Sequence, residues 1–218
     1  PRTFRSCYKG AKFMINNPVA EIIVIGSELL SGYIIDTNSS YVARSLSAIG
    51  IEIRFISAVG DDENLIADAI VQGLSRSDVI LTTGGLGPTV DDKTRAAVAL
   101  ATGTSLVFQP DLLEQIKLRF VEWDRNMSKN NIQQAYIPEA ALPIENPVGT
   151  APCFIVTHGD SCIVALPGVP REMIYLLQHD VIPYLADTFP LPRVIKIKVL
   201  HTVGLAESVL DSKIDDLL

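Results

Sequence analysis

Cysteine, histidine, tryptophan and clustered positive charge are all scarce in this chain, and each shortage removes a class of function. The three cysteines, Cys7, Cys153 and Cys162, show neither CxxC nor any other metal-ligand spacing. Cys153 and Cys162 flank a His158-Gly159-Asp160 turn. A short hairpin there pairs Cys162 with Thr157 or a near neighbour, away from Cys153, so no disulfide is expected and reduced thiols fit a cytoplasmic protein. The histidines, His158, His179 and His201, are scattered and read as structural, and the lone Trp123 reads as helix packing. A net charge of −7 without a Lys/Arg cluster excludes a nucleic-acid footprint. No apolar run reaches the length of a membrane span, and residues 1–13, though basic, lack the apolar stretch of a secretory signal. HExxH, GxSxG, the G-x-x-x-x-G-K-[ST] phosphate loop and the G-x-G-x-x-G fingerprint are all missing.

What remains is a chain of 218 residues, 48% of them hydrophobic, with ample material for a core. The first strand is expected at Ala20–Ile25, a β-branched run of the kind buried on both faces. A helix over 38–49 follows, closed by Gly50, then an alternating strand over 51–59 and a helix from 63 to 74 that turns Leu65, Ala69 and Ile70 to one side. A third strand over 78–82, a third helix over 94–102 and a short strand at 106–108 continue the pattern. Such alternation predicts an α/β fold with a mostly parallel sheet between helical layers. The second half reads as a helix over 110–125, a hairpin within 149–165, a helix over 170–185, a strand over 194–203 and a helical pattern over 204–218. The expected organisation is therefore a leader or remnant at 1–17, an α/β domain at 18–190 and the start of a small α+β appendage at 191–218.

In an open parallel sheet, ligands bind beyond the carboxyl ends of the strands. Three loops fall on that edge: Gly26–Gly32, Gly60–Glu63 and Gly84–Asp92, each combining glycine with acid. The glycines of LTTGGLGPTVDDKT let backbone N–H groups approach a phosphate, while the carboxylates suggest a hard cation bridging to it. Simpler roles are open to the same acids. Thr89 and Asp92 match a helix-capping box, Asp91 suits a first helical turn, Asp61 reads equally well as a cap, and Glu28 as a solvated loop residue.

GSELLSG at 26–32, TGGLGPTVDDKT at 83–94, NPVGTAP at 146–152, LPGVPREM at 166–173 and GLAES at 204–208 together resemble the amino-terminal domain of CinA-type proteins, which has the molybdopterin-binding, MoaB/MogA-like fold. The resemblance covers the chain from about residue 20 and implies an αβα sandwich. It implies a metal-dependent pyrophosphatase acting on ADP-ribose, or on related dinucleotides such as FAD, and releasing AMP. It matches Asp92 and Asp61 to the family's functional aspartates, and Gly84, Gly85 and Gly87 to its phosphate-contacting turn. Ser27 and Glu28 lie in its first loop, and Asn130 with Gln134 in an N-x-x-x-Q-A block. Gly26, Leu86 and Thr94, with Gly149, Thr150, Pro167 and Gly168 from the later blocks, complete the expected substrate contacts. Asp92, Asp61 and Glu28 are the expected metal ligands, Mg²⁺ first with Co²⁺ or Mn²⁺ as alternatives. Asp91 is a candidate to position water, and Arg171 or Lys93 to neutralise a second phosphate. The family has Thr at Ser27 and Gly at Cys153, so the backbone after Pro152 is expected to differ at the pocket rim. A small-molecule nucleotide and a second copy of the chain are the expected partners, without nucleic acid or membrane. The rival readings are molybdopterin binding with adenylyl transfer, and a non-enzymatic nucleotide-binding oligomer.

Overall fold

The computed structural model describes residues 17–191, 203, 204 and 206–214. Val19–Ile25 (β1) is buried along its whole length, because it lies between two parallel neighbours, Glu52–Val59 (β2) and Val79–Thr83 (β3). Ser161–Leu166 (β8) continues the sheet parallel to β3. Cys153–His158 (β7) and Leu142–Ile144 (β6) finish it antiparallel. The resulting order is β2-β1-β3-β8-β7-β6, a mostly parallel six-stranded sheet. Leu106–Phe108 (β4) and Tyr136–Pro138 (β5) form a separate antiparallel pair.

A single helical turn, Ser27–Leu30 (α1), follows β1, and longer helices cover both faces, as the alternation predicts. On one side Asn38–Ala48 (α2), Pro170–Leu176 (α6) and Ile182–Thr188 (α7) bury Val42, Leu46, Met173 and Leu185 against Ile22, Leu81 and Val164. On the other, Glu63–Leu74 (α3), Thr94–Thr102 (α4) and Pro110–Glu122 (α5) bury Ile66, Ile70, Val98 and Ile116 against Ile23, Ile80 and Ile163. Gly50 takes a φ of 94° just past α2, the left-handed conformation that ends a helix most cheaply in glycine.

Several expectations change. Leu65 faces solvent and Ala69 is half-buried, while α3 buries Ile66 and Ala67 beside the expected Ile70. The expected helix over 170–185 is one run to Thr188, interrupted by a π-helical turn at Leu177–Val181 that ends two residues before Pro183, whose missing N–H the wider turn accommodates. Glu21, inside the buried first strand, is explained by long-range partners: Arg76 grips its carboxylate at 2.8 and 2.7 Å while stacking on Phe55, and Ser57 donates at 3.0 Å. Cys162 does pair with Thr157 and Cys153 with Ile144, so the two thiols are free. Burial raises both, Cys162 to about 12. Cys153 lies in the core and does not shape the pocket rim. The expected strand over 194–203 falls outside the described residues except Val203, and so do Cys7 and His201. Beyond it, Glu207–Ile214 (α8) is helical.

The sheet order places the site. The chain leaves β1 toward the β2 edge but leaves β3 toward β8, so connections diverge and open a crevice at the carboxyl ends of β1 and β3.

Candidate active site

Gly84 begins the loop at that crevice with φ of 112°, and Gly85 follows at 66°. A Cβ on Gly84 would overlap the carbonyl oxygen of Ile25 at the end of β1, and one on Gly85 the Thr94 hydroxyl. Only glycine lets the two strand ends and the start of α4 meet so closely. The loop's carbonyls all point toward the protein. Gly84 O accepts from the Thr94 hydroxyl at 2.8 Å and Gly85 O from the Thr94 N–H at 3.1 Å. Leu86 O accepts from Arg95 at 2.6 Å and Gln134 at 3.4 Å, and Gly87 O from Arg95 at 3.0 Å. Burial pulls the Arg95 guanidinium down to about 10, against the charge of Asp92, which holds it up.

The donors divide differently. Gly84 N–H is committed to Leu166 O at 3.1 Å and Gly87 N–H to Asp92 Oδ1 at 2.7 Å. Gly85 and Leu86 N–H have no acceptor among the described residues. With their carbonyls turned inward, two adjacent N–H groups are left without an internal partner, an arrangement of the kind that can receive an anion. The sequence suggested donors from Gly84 through Gly87; the fold narrows them to two.

Asp92 is the closure of this loop. Its carboxylate accepts from Gly87 N–H, Thr89 N–H and the Thr89 hydroxyl, each at 2.7 Å. The capping box does not form. Helix α4 starts at Thr94 with Lys93 as its cap, so neither Thr89 nor Asp91 caps it, and Asp91 stays exposed at the cavity mouth. Asp61 does not cap α3 either, because Asp62 accepts from Asn64 and Leu65 N–H. Instead Asp61 Oδ2 accepts from Ser27 N–H at 2.9 Å while its own N–H donates to the Ser27 hydroxyl at 3.2 Å. This reciprocal pair locks the loop after β2 to the one after β1.

A cavity of about 470 Å³ lies over the loop. It brings together most of the expected site: Gly26, Glu28 and Asp61 from the β1 and β2 loops, the stretch from Gly84 to Gly87 with Asp91 and Asp92, then Gln134, Thr150, Pro167 and Gly168. Four expected contacts fall outside it. Ser27 and Thr94 support the loops from behind. Asn130 is exposed, and Gly149 packs against Glu172. Lys93 and Arg171 do not line the cavity. A second cavity of about 320 Å³ shares Ile25, Glu28, Gly168 and Val169 with the first and continues over Leu29, Ile34 and Pro170.

Sequence reasoning missed three contributors. Asn131, not Asn130, is buried and donates to Gln134 Oε1 at 3.0 Å, orienting the amide that reaches Leu86 O. Its own side chain accepts from Ser128 N–H at 3.1 Å in a capping box of Lys129–Ala135, a 3₁₀ helix, and the S-x-x-N spacing carries that signal. Replacing Asn131 by Ala is expected to cost about 1 kcal/mol of stability, and Asn130→Ala less than about 0.5 kcal/mol; paired chemical melts measure the difference. Arg95 had no motif to announce it. Glu172 lines the cavity from the β8 side and takes a hydrogen bond from Asn146 Nδ2 at 2.5 Å.

Residues 21–187 match the family model described as "Probable molybdopterin binding domain". The chain is 45% identical over 200 residues to the "Putative competence-damage inducible protein" of Halothermothrix orenii, covering 92% of this chain and 48% of that protein. Thus the chain spans about half the length of the curated relatives it matches. Among solved structures it superposes on CinA of unknown function from Thermoplasma acidophilum with a TM-score of 0.71 and 34% identity, over 80% of this chain and 99% of that one. The molybdopterin biosynthesis enzyme MoaB of Thermus thermophilus shares the fold at a TM-score of 0.50 and 18% identity, over 78% and 97%.

Proposed function

This chain belongs to the molybdopterin-binding domain family in its CinA-like branch, and from that premise we propose that it is a metal-dependent pyrophosphatase releasing AMP from ADP-ribose or a related dinucleotide. The observation that carries the reading is the pairing of two free N–H groups, on Gly85 and Leu86, with a ring of acids in one cavity. Donors alone would suit any anion; acids beside them call for a cation shared with it. The adjoining apolar cavity gives room for a nucleoside next to the diphosphate.

The acids suit a hard cation in kind. Asp61 Oδ1 and the Glu28 carboxylate accept no hydrogen bond among the described residues, and Asp92 Oδ1 accepts one. No group of three or more ligating side chains is preassembled among the described residues. Mg²⁺ commonly binds through one or two carboxylates together with substrate phosphates, so preassembly is not required. Asp92, Asp61 and Glu28 would hold it. Bound there, such an ion would polarise a phosphoryl oxygen and lower the pKa of water. Gly85 and Leu86 N–H would donate to equatorial oxygens of the phosphoryl group, held in place beforehand by Arg95 and Thr94. Asp91, free of a helix cap, would orient water at the mouth.

The second reading is binding of molybdopterin with adenylyl transfer; the description of the matching family favours it, and an adenylylated pterin presents the same AMP diphosphate. Chromatography of products separates the two. With ADP-ribose, FAD, NAD or ATP and Mg²⁺, Mn²⁺ or Co²⁺, AMP is expected from ADP-ribose or FAD only when metal is present. Silence in every lane, with tight molybdopterin binding, would transfer the assignment to pterin chemistry.

A further inference from the structure

We propose that Glu172 is the general base that takes the proton of the attacking water; the assignment rests on the pyrophosphatase reading above. Five carboxylates line the cavity, and four of them, Glu28, Asp61, Asp91 and Asp92, come from the loops after β1, β2 and β3. Glu172 alone comes from the loop and helix after β8, across the Gly85–Leu86 donors from Glu28 and Asp61 in the strand order. In-line displacement sets the entering water and the leaving oxygen on opposite sides of phosphorus. A phosphoryl group seated on the two N–H donors therefore has acids for a cation on one flank and a separate carboxylate on the other.

That carboxylate is held, not loose. Asn146 Nδ2 donates to its Oε2 at 2.5 Å, and the Ala151 backbone lies beside it. Asn146 is itself fixed, donating to Ala151 O at 2.9 Å and accepting from Val148 N–H at 3.1 Å. Gly149 lies against the carboxyl so closely that a Cβ there would overlap it. One donor on Oε2 leaves the other lone pairs of this cavity-lining carboxyl free. The charged groups around it are Arg171 on its own helix, Arg119 of α5 behind Asn146 and Gly149, and the four cavity acids. Burial raises the Glu172 carboxyl above the ordinary range, outweighing the Asn146 hydrogen bond, the nearby Ala151 backbone and the Arg171 charge. A base with its pKa nearer neutrality than a solvated carboxylate is the more effective.

The step balances simply. Glu172 takes one proton from water as the water oxygen forms the new P–O bond at one phosphorus of the bridge. The bond from that phosphorus to the bridging oxygen breaks, and its electron pair leaves on the departing phosphate. With ADP-ribose the products are AMP and ribose 5-phosphate, and Glu172 then releases its proton to solvent.

The test is Glu172→Gln, whose amide oxygen can still accept from Asn146. Single-turnover hydrolysis of ADP-ribose at saturating Mg²⁺ is expected to fall about 100-fold, with AMP affinity by calorimetry within about twofold of wild type. Wild-type rate should rise with pH through the Glu172 titration, and that acid limb should vanish in the variant. Formate should restore part of the rate to Glu172→Ala, which keeps the test open should the Gln variant misfold. An unchanged rate and acid limb in E172Q, or a rate loss matched by lost AMP affinity without formate rescue, overturns the assignment. A wild-type chain that releases no AMP with any metal fails the pyrophosphatase reading itself and takes this assignment with it.

Discussion

Asp92→Asn is expected to lower metal-dependent AMP release by roughly 10³-fold while costing only about 1–2 kcal/mol of stability. The two effects have separate causes. The amide retains one acceptor oxygen, but its NH₂ group faces either Gly87 N–H or Thr89 N–H, both now accepted at 2.7 Å. One donor of the loop is left unmatched, a modest loss at a half-exposed position. The missing charge matters more. It removes a proposed metal ligand and, among the described residues, the charge that offsets the burial of Arg95. The buried guanidinium that holds the Leu86 and Gly87 carbonyls then has no nearby counter-charge, which destabilises the loop conformation that leaves the Gly85 and Leu86 N–H groups unpaired. Mg²⁺ titration of turnover, with AMP affinity and a thermal melt on the same sample, separates the roles. If Asp92 merely closed the loop, AMP affinity would drop and the Mg²⁺ dependence would stay as in wild type.

How much of this was legible in the sequence depended on the range of the interaction that decided each feature. Buried parallel strands announce themselves because both faces must be apolar, and β1 and β3 lie within a residue of their expected places. Helix α4 spans the expected Thr94–Thr102, and Gly103, with φ of 67°, supplies the local signal for its end. The Thr89–Asp92 pattern was ambiguous for a physical reason: a carboxylate accepting nearby N–H groups looks the same whether it caps a helix or closes a loop. Helix α3 is apolar around most of its circumference, so pattern alone left its phase open between Leu65 and Ile66. Glu172 was the least legible. In LPGVPREM it reads as an acid suited to a first helical turn, and Asn146, which defines its role, lies 26 residues away across a hairpin. Strand β6 escaped notice because Pro143 sits in the middle of its three residues. The acids and glycines of the site were thus readable as a set, whereas which donors remain free could be decided only by long-range closure.

Gly84→Ala is the second large effect, and it separates folding from chemistry. At φ of 112° an L-residue is already strained, by about 1–3 kcal/mol. The added Cβ would also overlap the Ile25 carbonyl oxygen, a backbone atom of a fully buried strand that no rotamer change can move aside. A Cβ built on Gly168 would itself come within 3.2 Å of Gly84 Cα, so the loop after β8 packs closely on the same glycine. The combined cost is expected to be on the order of 3–4 kcal/mol, or a fall of roughly 6–16 °C in Tm for a chain of this length. The substitution acts where β1, β3 and β8 converge, so AMP affinity is expected to fall with stability even though no side chain that touches phosphate has changed. Gly103→Ala supplies the contrast: its φ of 67° is also left-handed, yet nothing lies within 4 Å of the added Cβ. That variant should lose about 1 kcal/mol and bind AMP as wild type does. Equal losses in the two variants would mean that backbone strain alone governs Gly84, and the three-loop junction would not be what holds the Gly85 and Leu86 donors in position.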